Sequence, residues 1–178
     1  IMTALLTIEN LPDLNETITV PEDIFEELTA QDASVAGFNP YEQPTVRDLL
    51  YGVLLPSGAD ACETLARAVG GSEEGFVAMM NQKAEELGLT NTHFENCTGL
   101  HNDNHYSTCR DIAVLMSECL KSDTFREIVT REVYTTEATA SHPEGITLYD
   151  TMLHRFTSYE MSTTLENGAV IEGGKTGF

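Results

Sequence analysis

Apolar residues recur at helical spacing through roughly the first 130 positions and alternate with polar ones after that. "PTVRDLLYGVLL" (44–55) sets Leu49, Leu50, Val53 and Leu54 at helical spacing behind Thr45, a favourable N-cap. "PSG" breaks the pattern, and "ADACETLARAVGG" resumes it as a helix closed by Gly70 and Gly71. "SEEGFVAMMNQKAEELG" predicts a longer helix, capped by Ser72 and ended by Gly88, with Phe76, Met79, Met80 and Ala84 as its apolar stripe. Residues 1–9 suit another helix, and "PEDIFEEL" a brief helical turn. Thr108 and Asp111 form a capping box for "CRDIAVLMSECL", and Ser122 or Asp123 starts a short helix through Val129.

The remaining segments read differently. "TITVP" (17–21) suits a short strand stopped by Pro21, while "THFENCTGLHNDNHYS" is too polar and Asn-rich for regular structure. "REVYTTEAT", "GITLYDTML" and "NGAVIEGGKTGF" are β-branched and alternating, so strands are expected there. Helices first and strands late predicts an α+β fold, with a helix-rich part over 1–130 and a strand-rich part over 131–178. So few short strands leave exposed edges unless other strands pair with them.

Composition narrows the function classes. At 178 residues the chain can build one core, or one core with a satellite subdomain. Nine Lys/Arg against 29 Asp/Glu give a net charge of −20, a surface that repels nucleic-acid phosphates and anionic lipid. No apolar run approaches the ~20 residues that cross a bilayer, and no signal-peptide pattern opens the chain. Cys62, Cys97, Cys109 and Cys119 show neither a C-x-x-C pair nor metal-ligand spacing. Cys62 and Cys119 fall in helical patterns as small core residues; Cys97 and Cys109 flank the polar loop, where free thiols are the expectation and a bridge the alternative.

Candidate chemistry sits at two short motifs. Lys175-Thr176-Gly177 follows two glycines, but a phosphate loop would need a glycine at 169, which is Ala169, with Gly168 out of step by one. As a strand, the same residues offer a cation, a hydroxyl and close backbone approach, which suits an extended peptide ending in a carboxylate. Ser57 lies at the break between two helices, where a serine by itself reads as a cap. His101 and His105 are four apart, yet "HNDNH" has poor helix propensity and H-E-x-x-H is absent, so loop hydrogen bonding is expected in place of a metal site. No G-x-S-x-G elbow occurs. None of the three lysines, Lys83, Lys121 and Lys175, has a serine three positions before it.

Taken together, "TVRDLLYGVLLPSGADAC", "FVAMMNQKAEELGLTNTHFENCTGL", "HYSTCRDIA" and "GGKTGF" resemble the D-alanyl-D-alanine carboxypeptidases, the low-molecular-weight penicillin-binding proteins of the S11 serine peptidase family. The resemblance runs from Ile1 to Phe178. It implies a β-lactamase/DD-peptidase-like fold, of which these residues are a partial catalytic domain: mostly the helical subdomain plus a partial antiparallel sheet. In that family an S-x-x-K motif precedes a segment like "IMTALLTIEN", so its serine and lysine would lie just upstream of Ile1. Ser57 matches the serine of the second motif, S-x-N, which helps move a proton toward the leaving amine. Ala59 stands at the motif's Asn position, a departure that removes an amide contact. Lys175 and Thr176 match the residues that engage the substrate carboxylate, and Gly177 leaves room for the acyl chain.

By resemblance, the parent enzyme removes the last D-Ala of a muramyl pentapeptide through an acyl-enzyme and is acylated by β-lactams. No metal or organic cofactor is implied, and the site of action is extracytoplasmic, with any membrane attachment through segments outside these residues. Because the 178 residues hold no S-x-x-K, hydrolysis by them alone is not expected. The alternatives are a class A β-lactamase-like hydrolase and a non-catalytic peptidoglycan-binding module.

Overall fold

A computed structural model describes residues 1–159 and 162–176. Its centre is a cluster of helices: α1 (Met2–Asn10), α2 (Ile24–Ala30), α3 (Val46–Leu54), α4 (Ala59–Gly70) and α5 (Glu73–Glu86). α4 lies in the middle, packed against each of the other four. It can do so because its inner face is small: Ala61, Leu65 and Ala66 are fully buried, which lets neighbouring helices close on it. Leu49, Leu50 and Leu55 are also fully excluded from water, and each such burial contributes about 2 kcal/mol. α6 (Cys109–Cys119) and α7 (Asp123–Val129) follow, and α7 docks on α1 and α3.

The helix limits follow their caps. Thr45 accepts from the Asp48 N–H while Asp48 returns a bond to the Thr45 N–H, so α3 opens on a complete capping box. Ser72 accepts from the Gly75 N–H at the start of α5. At the start of α6 only half of the expected box forms. Thr108 accepts from the Asp111 N–H, but the Asp111 carboxylate turns to the Asn91 N–H and the Thr92 hydroxyl, tying the helix to the preceding loop. That loop is irregular as expected, apart from a single bridge between His93 and Tyr106.

Two late segments pair as β1 (Val133–Thr135) and β2 (Thr147–Tyr149), antiparallel, with Tyr134 opposite Leu148. The hairpin turns this pair inward: Leu148 is buried, and Tyr134 stacks on Tyr51 at 3.6 Å while donating to Asp48 Oδ1 at 2.9 Å. Val133 and Tyr149 face out.

Three strand expectations change. Residues 17–21 form only one bridge, Thr17 to Thr45, because the facing segment contains Pro44, which accepts from the Ile18 N–H but has no N–H to return. In "GITLYDTML" the strand ends at Asp150, whose carboxylate accepts the Met152 and Leu153 N–H groups (2.9 and 2.5 Å) and turns the chain into α8 (Leu153–Ser158). The last segment makes a bridge between Thr164 and Val170 around Gly168 (φ +83°) and no ladder over 171–176. There the glycines serve close packing instead. A Cβ on Gly173 would lie 2.0 Å from Val129 O, and one on Gly174 2.6 Å from Met152 Sδ.

Cys62 and Cys119 are core residues, Cys97 is buried, Cys109 is exposed, and all four are free thiols. No helix among the described residues is long and apolar enough to cross a membrane.

Candidate active site

Ser57 occupies the turn between α3 and α4 with φ +64°, a left-handed conformation that costs a non-glycine residue about 1–2 kcal/mol. The surroundings hold it there. Gly58 N–H donates to Gly52 O (2.8 Å) and Ala59 N–H to Ser34 O (2.8 Å). A side chain on Gly58 would meet Ala36 N and Asp60 Oδ1 at 2.7 Å, so the turn closes only with glycine at that position. Below it, the fully buried Asp60 carboxylate accepts four main-chain N–H groups: Ala36 (2.7 Å), Gly37 (3.0 Å), Phe38 (3.1 Å) and Ala61 (3.0 Å). One side chain therefore pins the loop before α3 to the start of α4.

Lys175 arrives from the other end of the chain. Its Nζ donates to Ser57 Oγ at 2.7 Å and to Thr176 O at 2.7 Å. Burial lowers the Lys175 pKa below the ordinary lysine value, and nearby Cys62 and Asp150 act in the opposite sense. Burial raises the Asp150 pKa, against the pull of the Leu153 and Met152 N–H groups and of Lys175. The Cys62 thiol is pushed up to about 12 by burial, so it stays protonated and does not act as a nucleophile. Thr176 pairs its hydroxyl with that of Thr151 at 2.8 Å.

The structure thus brings Ser57, Lys175 and Thr176 together, although Ser57 and Lys175 are 118 positions apart. Ala59, the first residue of α4, is buried beside them and its side chain offers no hydrogen bond. Gly177 lies outside the described residues. Thr151, Asp150 and Asp60 join the site without having been singled out in the sequence. Thr151 and Asp150 sit in a segment whose alternation reads simply as strand, and Asp60 reads as an ordinary first-turn acid.

His101 and His105 hydrogen-bond within their own loop region: His101 pairs with Asp103 at the surface, and His105 Nδ1 accepts from the Glu95 N–H. A separate cavity of about 210 Å3 is lined by Glu63, Arg67, Glu73, Glu95 and His101. Of these, Glu63 and Glu73 hold carboxylate oxygens within 4.8 Å of each other and of the buried Cys97 Sγ. They are tied together by bonds of their own, Cys97 Sγ to Glu63 Oε1 (3.3 Å) and Cys97 N to Glu73 Oε1 (3.2 Å).

Ser57 Oγ thus meets a half-buried ammonium, with Thr176 next to it. The model of the D-alanyl-D-alanine carboxypeptidases, peptidase S11, matches residues 1–178. The chain belongs to this family. D-alanyl-D-alanine carboxypeptidase DacF of Bacillus subtilis is 39% identical over 140 residues, covering 78% of this chain and 36% of the relative. D-alanyl-D-alanine carboxypeptidase of Streptomyces sp. K15 is 37% identical over 143 residues, covering 76% and 49%. DacB2 of Mycobacterium tuberculosis is 33% identical and covers all of this chain and 55% of the relative. Among solved structures, the Streptomyces K15 DD-transpeptidase superposes with TM-score 0.77 at 34% identity, over 84% of this chain and 61% of that one.

These S11 matches carry the DD-peptidase, β-lactamase-like fold to this chain and favour the carboxypeptidases over the class A β-lactamases. The chain spans about a third to a half of the length of the first two of these relatives.

Proposed function

We propose that this chain forms the substrate-orienting part of a serine D-Ala-D-Ala carboxypeptidase acting on peptidoglycan peptides outside the cytoplasmic membrane. Residues 1–178 are then one partial catalytic domain. The observation that carries the reading is the 2.7 Å contact between Lys175 Nζ and Ser57 Oγ across 118 positions of sequence.

The chemistry follows from the donors. An ammonium has three N–H groups, of which Lys175 commits one to Ser57 and one to Thr176 O. The third, with the Thr176 hydroxyl, is suited to a peptide's terminal carboxylate. Ser57 Oγ already accepts from Lys175, so its own proton is free to be passed to the departing amine of D-Ala. Nucleophilic attack needs the serine and lysine of an S-x-x-K, which in the family run into the segment that α1 begins. Ile1, just before α1, packs against the hydrophobic core. Ala59 leaves the amide-binding side of the substrate one hydrogen bond poorer, which favours substrates gripped mainly by their carboxylate.

The test uses a fluorescent penicillin and a D-Ala-D-Ala peptide, read by intact mass and by D-Ala release. Residues 1–178 should form no adduct, while the chain joined to its S-x-x-K segment should take up one penicillin and release D-Ala. An adduct on residues 1–178 alone refutes the assigned nucleophile. A joined chain that binds peptide but never cleaves it supports a non-catalytic peptidoglycan-binding module instead.

A further inference from the structure

One residue touches both the Ser57 turn and the Lys175 segment. The Thr151 N–H donates to Leu55 O (3.2 Å), two positions before Ser57, and the Thr151 hydroxyl meets the Thr176 hydroxyl at 2.8 Å. We propose that Thr151 is a positioning residue that donates its hydroxyl proton to Thr176 Oγ1, leaving the Thr176 proton aimed at a ligand's carboxylate. The proposal deepens the reading of Lys175 and Thr176 as a carboxylate site and rests on it.

The placement of Thr151 is itself fixed. Asp150, 1% exposed, donates its main-chain N–H to Glu132 O (2.8 Å), and its carboxylate accepts from Met152 and Leu153 on the far side of Thr151. His154 N–H adds a bond to Asp150 O at 3.0 Å. Met152, the next residue, packs its sulfur over Gly174, so the turn that carries Thr151 also bears on the segment that carries Thr176. These bonds hold the main chain of Thr151 in place beside Thr176. It acts as a fixed reference.

The direction of the hydrogen bond matters because a hydroxyl has one proton and two acceptor lone pairs. If Thr176 gave its proton to Thr151, it could offer a carboxylate only lone pairs, which repel. With Thr151 as donor, the Thr176 oxygen is satisfied by accepting, and its proton is both free and polarised by the bond behind it. The Thr151 N–H bond to Leu55 O survives any side-chain change, so substitutions here probe the hydroxyl alone. Thr151→Val removes the hydroxyl at nearly constant volume, and Thr151→Ser keeps it.

The experiment compares the chain with its Thr151→Val and Thr151→Ser forms. Thr176 χ1 is read from three-bond couplings to its methyl carbon, and affinity is measured for acetyl-D-Ala-D-Ala and for the same dipeptide capped as an amide. The parent chain and the serine form should show a single Thr176 rotamer, and the valine form rotamer averaging. Affinity for the free acid should fall about tenfold in the valine form, the scale of one hydrogen bond to a charged group. It should stay within about twofold in the serine form, and affinity for the amide should not follow this pattern. An unchanged Thr176 rotamer in the valine form overturns the proposal, as does an equal loss for acid and amide. A parent chain that binds acid and amide alike refutes the carboxylate site, and the rotamer measurement then still decides what Thr151 does.

Discussion

The two walls of the candidate site, one carrying Ser57 and the other Lys175, are built by different means. The Ser57 wall is the junction of α3 and α4, among residues almost wholly excluded from water, and its turn is locked by bonds to Gly52, Ser34 and the Asp60 carboxylate. The Lys175 wall is a segment with one bridge behind it, between Thr164 and Val170, exposed apolar residues at Leu165 and Val170, and glycines pressed against Val129 and Met152. One wall is rigid because many buried groups agree on its position. The other holds its place by clearance and a few contacts. A site built this way holds the Ser57 hydroxyl on its firmer side and Lys175 on the side with fewer contacts.

Removing the pin of the rigid wall should have the largest effect. Asp60→Ala leaves the N–H groups of the buried Ala36, Phe38 and Ala61, and that of the exposed Gly37, without their acceptor. Unmet buried donors cost about 1–3 kcal/mol each before relaxation, so a loss of at least ~3 kcal/mol is expected in urea unfolding. Asp60→Asn, which keeps one acceptor oxygen, should lose less. A loss under ~1 kcal/mol for the alanine variant would mean that Asp60 does not set the wall.

The second prediction separates the walls. Gly173→Ala places a methyl group 2.0 Å from Val129 O, so the 171–176 segment must shift while the helical body has no reason to. Strain of this kind is worth about 1–3 kcal/mol, but the segment can release most of it by moving away. The expected outcome is a nearly unchanged unfolding midpoint together with loss of the Lys175–Ser57 contact, seen as the Lys175 side-chain resonance moving toward that of a solvated lysine. With three lysines in the chain, that resonance is readily assigned. If the midpoint and the contact fell together, the two walls would be one cooperative unit and the contrast between them would be false.

The helical body was legible in the sequence because its signals are local. The Thr45, Ser72 and Ser122 caps and the stops at Gly71 and Gly88 all stand where period and capping chemistry place them. The late segments were misread where a single side chain or partner outweighs alternation. Pro44 stops a ladder it cannot complete, Asp150 turns a strand into α8, and Gly173 and Gly174 mark close packing where a strand was expected. The meeting of Ser57 and Lys175 could be inferred only from the family resemblance, since no local pattern joins residues 118 positions apart. Thr151 had no signal at all: its role exists only once Leu55 and Thr176 are both beside it.

The smallest expected effect probes the rigid wall from within α4, which carries two buried acids of opposite character. Asp60 is surrounded by donors. Glu63, one turn on, faces Glu73 and a thiol, and its pKa is raised to about 7, first by burial and next by Glu73, with Cys97 and Arg67 pulling partly back. The folded state therefore binds this proton more tightly than the unfolded chain, whose glutamate titrates near 4.5. The stability this proton confers is complete below pH ~4.5, declines as pH rises through ~7, and is gone above that. Glu63→Gln cannot ionise, so the difference between variant and parent should be near zero at pH 4. By pH 8 it should favour the variant by on the order of 1 kcal/mol, once solvent screening is allowed for. Urea midpoints of both proteins from pH 4 to 8 measure it, and taking the difference removes the other acids common to both. A difference that stayed flat would show Glu63 ionising freely in the fold, and the wall that holds Ser57 would then be more open to water than its packing implies.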